Sequence, residues 1–170
     1  MRKILISVAA IALFACGNGP GSYVPRSGDI IFHVSRSSQS VAIQRATKSR
    51  YSHMGVVFVK DGEAFVYEAV QPVKLTRLPA WVARGERGHF VVKRLRAADR
   101  LLTPANLRKL EAEGRKLHGR SYDLYFEWSD KRIYCSELVW KMYKRALGIE
   151  IGALQRLRDF DLSDPSGFNA

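Results

Sequence analysis

Tyr134-Cys135-Ser136-Glu137-Leu138-Val139-Trp140 holds the one cysteine that lies beyond the first sixteen residues of the chain. Leu138, Val139, Met142, Tyr143, Ala146 and Leu147 recur at helical spacing after it, and Gly148 is a stop signal. The spacing predicts a helix that begins at the cysteine. A thiol in the first turn of a helix faces unbonded backbone N–H groups and the positive end of the macrodipole, and both favour the thiolate. Two readings follow: a nucleophile, or a small buried hydrophobe, as free cysteine commonly is. A nucleophile requires a base elsewhere in the chain.

The second informative stretch runs from Ser52 to Val70. Asp61-Gly62, between two runs of apolar residues, is a strong short-range signal for a hairpin with a type I′ turn. If these are the two loop residues, Lys60 pairs with Glu63 and the register is fixed outward. Phe58 then faces Phe65, Val56 faces Tyr67 and Met54 faces Ala69, which makes one face wholly apolar. On the other face Val57 meets Val66, Gly55 meets Glu68 and His53 meets Val70. His53 and Glu68 become diagonal neighbours on one face, within hydrogen-bond reach. Gly55, opposite Glu68, is expected to leave room for the carboxylate and the ring. A slip of one residue would separate the pair.

The remaining elements are read more briefly. Gly28-Asp29 opens a strand, Ile30-Ile31-Phe32-His33-Val34. Ser38 is expected to cap a short helix through Ala46, and Trp81 and Val82 after Pro79 suggest another. Phe90-Val91-Val92 with Leu95 reads as a strand. Thr103-Pro104 starts a helix with apolar positions Leu107, Leu110, Gly114 and Leu117, ended by Gly119. Tyr122 to Trp128 is expected to be extended, and Ser129-Asp130-Lys131 turns the chain into the Cys135 helix. The tail from Glu150 gives no clear pattern.

The chain has 170 residues, 46% of them apolar, enough for one domain with one core. Its N-terminus reads as an address. Met1-Arg2-Lys3 is basic, Ile4 to Phe14 is apolar except for Ser7, and Leu13-Phe14-Ala15-Cys16 follows. Residues 1–16 are expected to be a signal peptide that ends in a lipobox-like motif, with Cys16 as the lipidated residue. The alternative is ordinary cleavage near Ala15. Gly17 after the cysteine favours, by analogy with known lipoproteins, the outer membrane. Residues 17–27 read as a tether and 28–170 as the folded domain. A lipidated Cys16 could not pair with Cys135, which would then be a single free thiol in an oxidising compartment. Net charge is +12, falling by two to +10 if Arg2 and Lys3 leave with the leader. No nucleic-acid motif accompanies that charge, so no nucleic-acid partner is expected. Anionic lipid head groups or acidic wall polymers suit it better, as does a generally basic surface.

A cysteine hydrolase needs a thiolate, an imidazole that shares its proton, and a group that orients the imidazole. Cys135, His53 and Glu68 supply one of each. Glu68 would accept the second N–H of His53, and the Cys135 backbone N–H would help to bind an oxyanion. His33, on a strand, and His89 and His118, at expected element ends, compete for the base, but none has a carboxylate placed by a hairpin. His53 alone could equally be a core histidine satisfied by Glu68. There is no CxxC and no HExxH, so neither a metal site nor a cofactor is expected.

Gly28-Asp29-Ile30-Ile31-Phe32, Tyr51-Ser52-His53-Met54-Gly55, Tyr67-Glu68-Ala69 and Tyr134-Cys135-Ser136-Glu137-Leu138-Val139 together resemble the permuted papain-like enzymes of the YiiX/YebB-like group. That group is related to the NlpC-type cell-wall peptidases and the lecithin:retinol acyltransferases. The resemblance runs from about Gly28 to Gly148. It implies an α+β fold in which an antiparallel sheet or small barrel carries the histidine and glutamate. That sheet packs on a helix whose N-terminus carries the cysteine. The histidine precedes the cysteine, the reverse of papain, as in the permuted group. The resemblance also implies Cys135 as nucleophile, His53 as base and Glu68 as orienting group, with Tyr122 lining the substrate site. The expected function is cleavage of an amide bond in a peptide or cell-wall-derived peptide of the envelope, through a thioester. The alternatives are an acyltransferase or thioesterase acting on lipid esters, and a catalytically idle wall- or lipid-binding lipoprotein.

Overall fold

Asp61 and Gly62 both take positive φ, 50° and 80°, which a type I′ turn requires. The turn sets the ladder Lys60↔Glu63, Val59↔Ala64, Phe58↔Phe65, Val57↔Val66, Val56↔Tyr67 and Gly55↔Glu68, the expected register. The ladder stops there. The expected pairs Met54–Ala69 and His53–Val70 do not form, and His53 lies instead opposite His33 on the strand to the other side.

The computed structural model describes residues 3–5, 23–156 and 159–160. Cys16, most of the expected leader and residues 17–22 of the tether lie outside the described residues. In chain order the elements are β1 Lys3–Leu5, β2 Ile30–Ser35, α1 Ser40–Thr47, β3 His53–Lys60, β4 Glu63–Glu68, β5 Lys74–Arg77, α2 Leu78–Arg84, β6 Gly85–Lys93, α3 Ala98–Leu101, α4 Pro104–Leu117, β7 Ser121–Tyr122, β8 Arg132–Ile133, α5 Cys135–Leu147 and β9 Leu154–Arg156. The main sheet is antiparallel with the order β5-β4-β3-β2-β6. It is open, with β5 and β6 as its edges, so of the two expected forms it is the sheet and not the barrel. β1 pairs with β9, which gives the unreadable tail a partner.

Both faces of the sheet are buried. Side chains alternate along each strand. Ile30, Phe32, Val56, Phe58 and Tyr67 pack with Leu110, Leu117, Leu138, Val139 and Met142 from α4 and α5. Ile31, Val57, Val66, Phe90 and Val92 pack with Trp81 from α2. The helix starts and stops follow local chemistry. Thr103 Oγ1 accepts from Asn106 N at 3.3 Å and caps α4. Gly148, at φ 72°, ends α5 in the left-handed conformation that glycine adopts without strain. Among the described residues no helix is long and apolar enough to cross a membrane.

Three local expectations are corrected. α1 begins at Ser40 with Gln39 in the cap position, so Ser38 lies one residue too early to cap it, and Ser40 Oγ bonds to Ser52 Oγ at 2.6 Å. β6 starts at Gly85, five residues before the apolar run, because Gly85 pairs with Ser35 across an irregularity in β2. His89 therefore lies inside that strand and not at its end. Tyr122 to Trp128 is not extended. The Asp123 carboxylate accepts from Tyr125 N at 3.0 Å and Glu127 N at 2.5 Å and curls the chain into a turn.

Candidate active site

His53 and Cys135 are each the first residue of their element, β3 and α5. The site is built where a strand and a helix begin. Ser52 fixes the approach to the histidine: its Oγ accepts from Ser35 N at 2.8 Å and bonds to Ser40 Oγ, while its N–H donates to the His33 carbonyl at 3.1 Å. These bonds tie the end of β2, the start of α1 and the start of β3 together. At the cysteine, Glu137 reaches back to accept from Tyr134 N at 3.4 Å, half of a capping box. The first helical bond of α5 runs from Leu138 N to Tyr134 O, so the N–H groups of the first turn have no acceptor within the helix.

The structure brings the predicted residues together. His53 Nε2 is 2.7 Å from Glu68 Oε2, and the His53 ring also hydrogen-bonds to Cys135. With Nε2 engaged by the carboxylate, Nδ1 is the nitrogen left for sulfur. Burial alone would push the His53 ring towards its neutral form. The hydrogen bonds to Cys135 and Glu68 outweigh burial and carry it up to about 9. Burial likewise opposes the Glu68 charge, but the bonds from His53 and Thr76 and the Arg84 charge hold it down to about 2. Tyr122 hydrogen-bonds to Cys135 and lines the cleft beside it; burial above all, with Cys135 and Asp123 as neighbours, pushes its hydroxyl well above the usual tyrosine range.

Several contributors were missed by the sequence reading. Glu68, wholly buried, gives its second oxygen to Thr76 Oγ1 at 2.5 Å and to the Arg84 guanidinium. Neither donor carries a motif, since β5 and α2 bring them in from beyond the hairpin. His33 stacks on Trp81, ring centres 4.0 Å apart, and its ring lies 5.2 Å from His53. Burial and the charges of His53 and Arg84 push His33 down to about 3, so it walls the site as a neutral ring. Gly55 serves a different purpose from the expected one. A Cβ there would meet Val66 Cγ1 at 2.5 Å and the Tyr67 carbonyl at 2.6 Å, so the glycine lets β4 approach closely and does not make space for the His53 ring. His118 lies elsewhere, its Nδ1 3.1 Å from Tyr67 OH at the end of α4.

Asp29 explains the Gly28-Asp29 motif. It is buried and accepts from Arg94 at 2.6 and 2.7 Å, from Tyr23 OH at 2.7 Å and from Arg26 N at 3.1 Å. It anchors the chain ahead of β2 and stays outside the site. Among the described residues no three or more His, Cys, Asp or Glu side chains gather as a metal site.

The histidine strand precedes the cysteine helix, the order of the permuted papain-like group that the sequence resembles, and comparison with known proteins agrees on the family. Residues 24–169 match the model of a family described as permuted papain-like amidase enzyme, YaeF/YiiX, C92 family. The uncharacterized protein YiiX of Escherichia coli strain K12 is 45% identical over 163 residues, which span 96% of this chain and 74% of that protein. A crystal structure of the metalloprotein YiiX from Escherichia coli O157:H7 superposes with a TM-score of 0.80 at 48% identity, covering 85% of this chain and 78% of that one. The chain belongs to the permuted papain-like amidase family.

Proposed function

We propose that this member of an amidase family hydrolyses an amide bond in a peptide, or in a cell-wall-derived peptide, through a Cys135 thioester. The observation that carries the reading is the His53 ring bound on one side to Cys135 and on the other, at 2.7 Å, to a buried carboxylate. In this reading His53 holds the proton taken from the thiol, and the Cys135 thiolate attacks the carbonyl carbon. The carbonyl π electrons move to oxygen. In this reading the Cys135 backbone N–H and the hydroxyl of Tyr122, which hydrogen-bonds to Cys135, hold that oxyanion. Its collapse breaks the C–N bond, and the imidazolium gives its proton to the departing amine. Water then yields a proton to the neutral His53 as it attacks the thioester, releasing the acid. Cys135 departs as thiolate and the ion pair is restored.

Incubation with an amide substrate, quenched early in acid, tests the reading. Mass spectrometry is expected to find an acyl group on Cys135 and none in Cys135→Ala. Turnover without any dependence on Cys135 would overturn it. The apolar run from Ile4 to Phe14 and the cysteine after Leu13-Phe14-Ala15 support export and a lipid anchor at Cys16, which would hold the enzyme at the envelope.

A further inference from the structure

We infer that the cleft selects amides bearing an oxyanionic group, carboxylate or phosphate, and that Arg36 and Arg84 recognise it. The inference rests on the cysteine-hydrolase reading for its chemistry. The cleft over the site encloses about 800 Å³. Arg36 enters its lining from the connection between β2 and α1, and Arg84 from the last residue of α2. Ser37, Ser38, Gln39 and Gln71 line it as well, and no aspartate or glutamate does.

The carboxylate behind the candidate base does not cancel this charge. Glu68 is wholly buried behind His53, and its two oxygens are already engaged by His53, Thr76 and Arg84. Arg84 gives one nitrogen to Glu68, which fixes its guanidinium, while the side chain stays 43% exposed with further N–H donors to offer. Arg36 is exposed and has no hydrogen-bond or ion-pair partner among the described residues. A neutral amide leaves these donors facing water. An oxyanion pairs with them in a concave, partly desolvated site, where charge-assisted bonds are strongest. A solvated basic surface would not require two arginines from separate elements to converge on the cleft that holds the candidate base.

The test uses acetylated dipeptide aminocoumarin amides that differ in one side chain, glutamate, phosphoserine or glutamine, with the charge placed in turn at each residue. Binding to Cys135→Ala protein is measured by calorimetry and cleavage by wild type by fluorescence. In at least one placement, an acidic probe is expected to bind and react about tenfold or more better than its glutamine counterpart. That preference should collapse towards unity in Arg36→Gln and fall in Arg84→Lys, and it should shrink with added salt. Arg108→Gln, an exposed charge on α4, should leave it unchanged. Carboxylate against phosphate identifies the group preferred. Equal binding and cleavage of acidic and neutral probes, or a preference that survives Arg36→Gln, would overturn the inference. Preferential binding without any Cys135-dependent cleavage would instead overturn the hydrolase reading and leave the charge selectivity standing.

Discussion

His53 Nε2 and Glu68 Oε2 meet at 2.7 Å, joining the first residue of β3 to the last residue of β4. The register of one two-residue turn decides that distance. Glu68→Gln keeps the size of the side chain and loses the charge that stabilises the imidazolium and holds Arg84. Turnover is expected to fall by up to roughly 10⁴-fold, the scale of a comparable change in a serine triad, with the circular dichroism unchanged. Glu63→Gln, on the same strand, removes only an exposed pair with Arg77 and should change turnover by less than about twofold. Insertion of one residue between Asp61 and Gly62 should abolish activity by shifting register. Near-full activity in Glu68→Gln would remove it as the orienting group.

The site also predicts a pH dependence. The charged His53 ring contributes stability in full below its unfolded value of about 6.5, and this is lost as pH rises through about 9. The Glu68 contribution is present above about 4.3 and is lost as pH falls through about 2. Burial raises Glu137 to about 7, and its loss of stability with rising pH is complete near that value. The difference between wild type and His53→Gln above about pH 7 therefore reports the histidine together with the thiol it is bonded to. Urea midpoints measured across that range should converge towards about pH 9. Parallel curves would show that His53 is not held charged.

Gly55→Ala tests the close approach of β3 and β4. The new methyl would meet a backbone carbonyl at 2.6 Å, which cannot yield without moving the strand that ends in Glu68. A cost of about 1–3 kcal/mol in chemical denaturation is expected, with a loss of turnover larger than the stability change explains. Unaltered stability would mean that the strands can part freely there.

Lys141 is buried in α5, one turn after Glu137, which is also buried; their charges meet at 2.6 Å beneath the Cys135 helix start. Lys141→Met would leave the Glu137 carboxylate unpaired, at a cost of roughly 3–5 kcal/mol. Because Glu137 can take up a proton, that cost should be smaller at pH 5 than at pH 8. A cost independent of pH would point to lost packing on Trp128, whose ring the ammonium also covers.

Mass spectrometry of protein recovered from membranes tests the anchor. A diacylglyceryl group on Cys16 as the new N-terminus is expected. A free amine at another residue would remove the tether.

The site was legible where its geometry is local. Turn chemistry at Asp61-Gly62 placed His53 and Glu68 on one face by counting, and helical periodicity put Cys135 at a helix start. Meeting of the two parts could not be counted, because residues 69–134 intervene and only packing of α5 on the sheet closes the gap. Arg84, Thr76 and the His33–Trp81 stack were illegible for the same reason, since none lies at a diagnostic spacing from the residue it touches. Tyr122 to Trp128 misled because aromatic content resembles a strand, while one aspartate side chain decided the turn.

The order of His53 and Cys135 along the chain has a consequence for synthesis. A ribosome moving from the N-terminus completes β3 and β4, with His53 and Glu68, long before Cys135 is translated. A polypeptide interrupted between β4 and α5 carries His53 and Glu68 without the thiol that they are proposed to serve. Leu138, Val139 and Met142 of α5 belong to the core beneath the sheet, so the segment that delivers the thiol also closes the fold, and in the proposed mechanism turnover waits on that single docking.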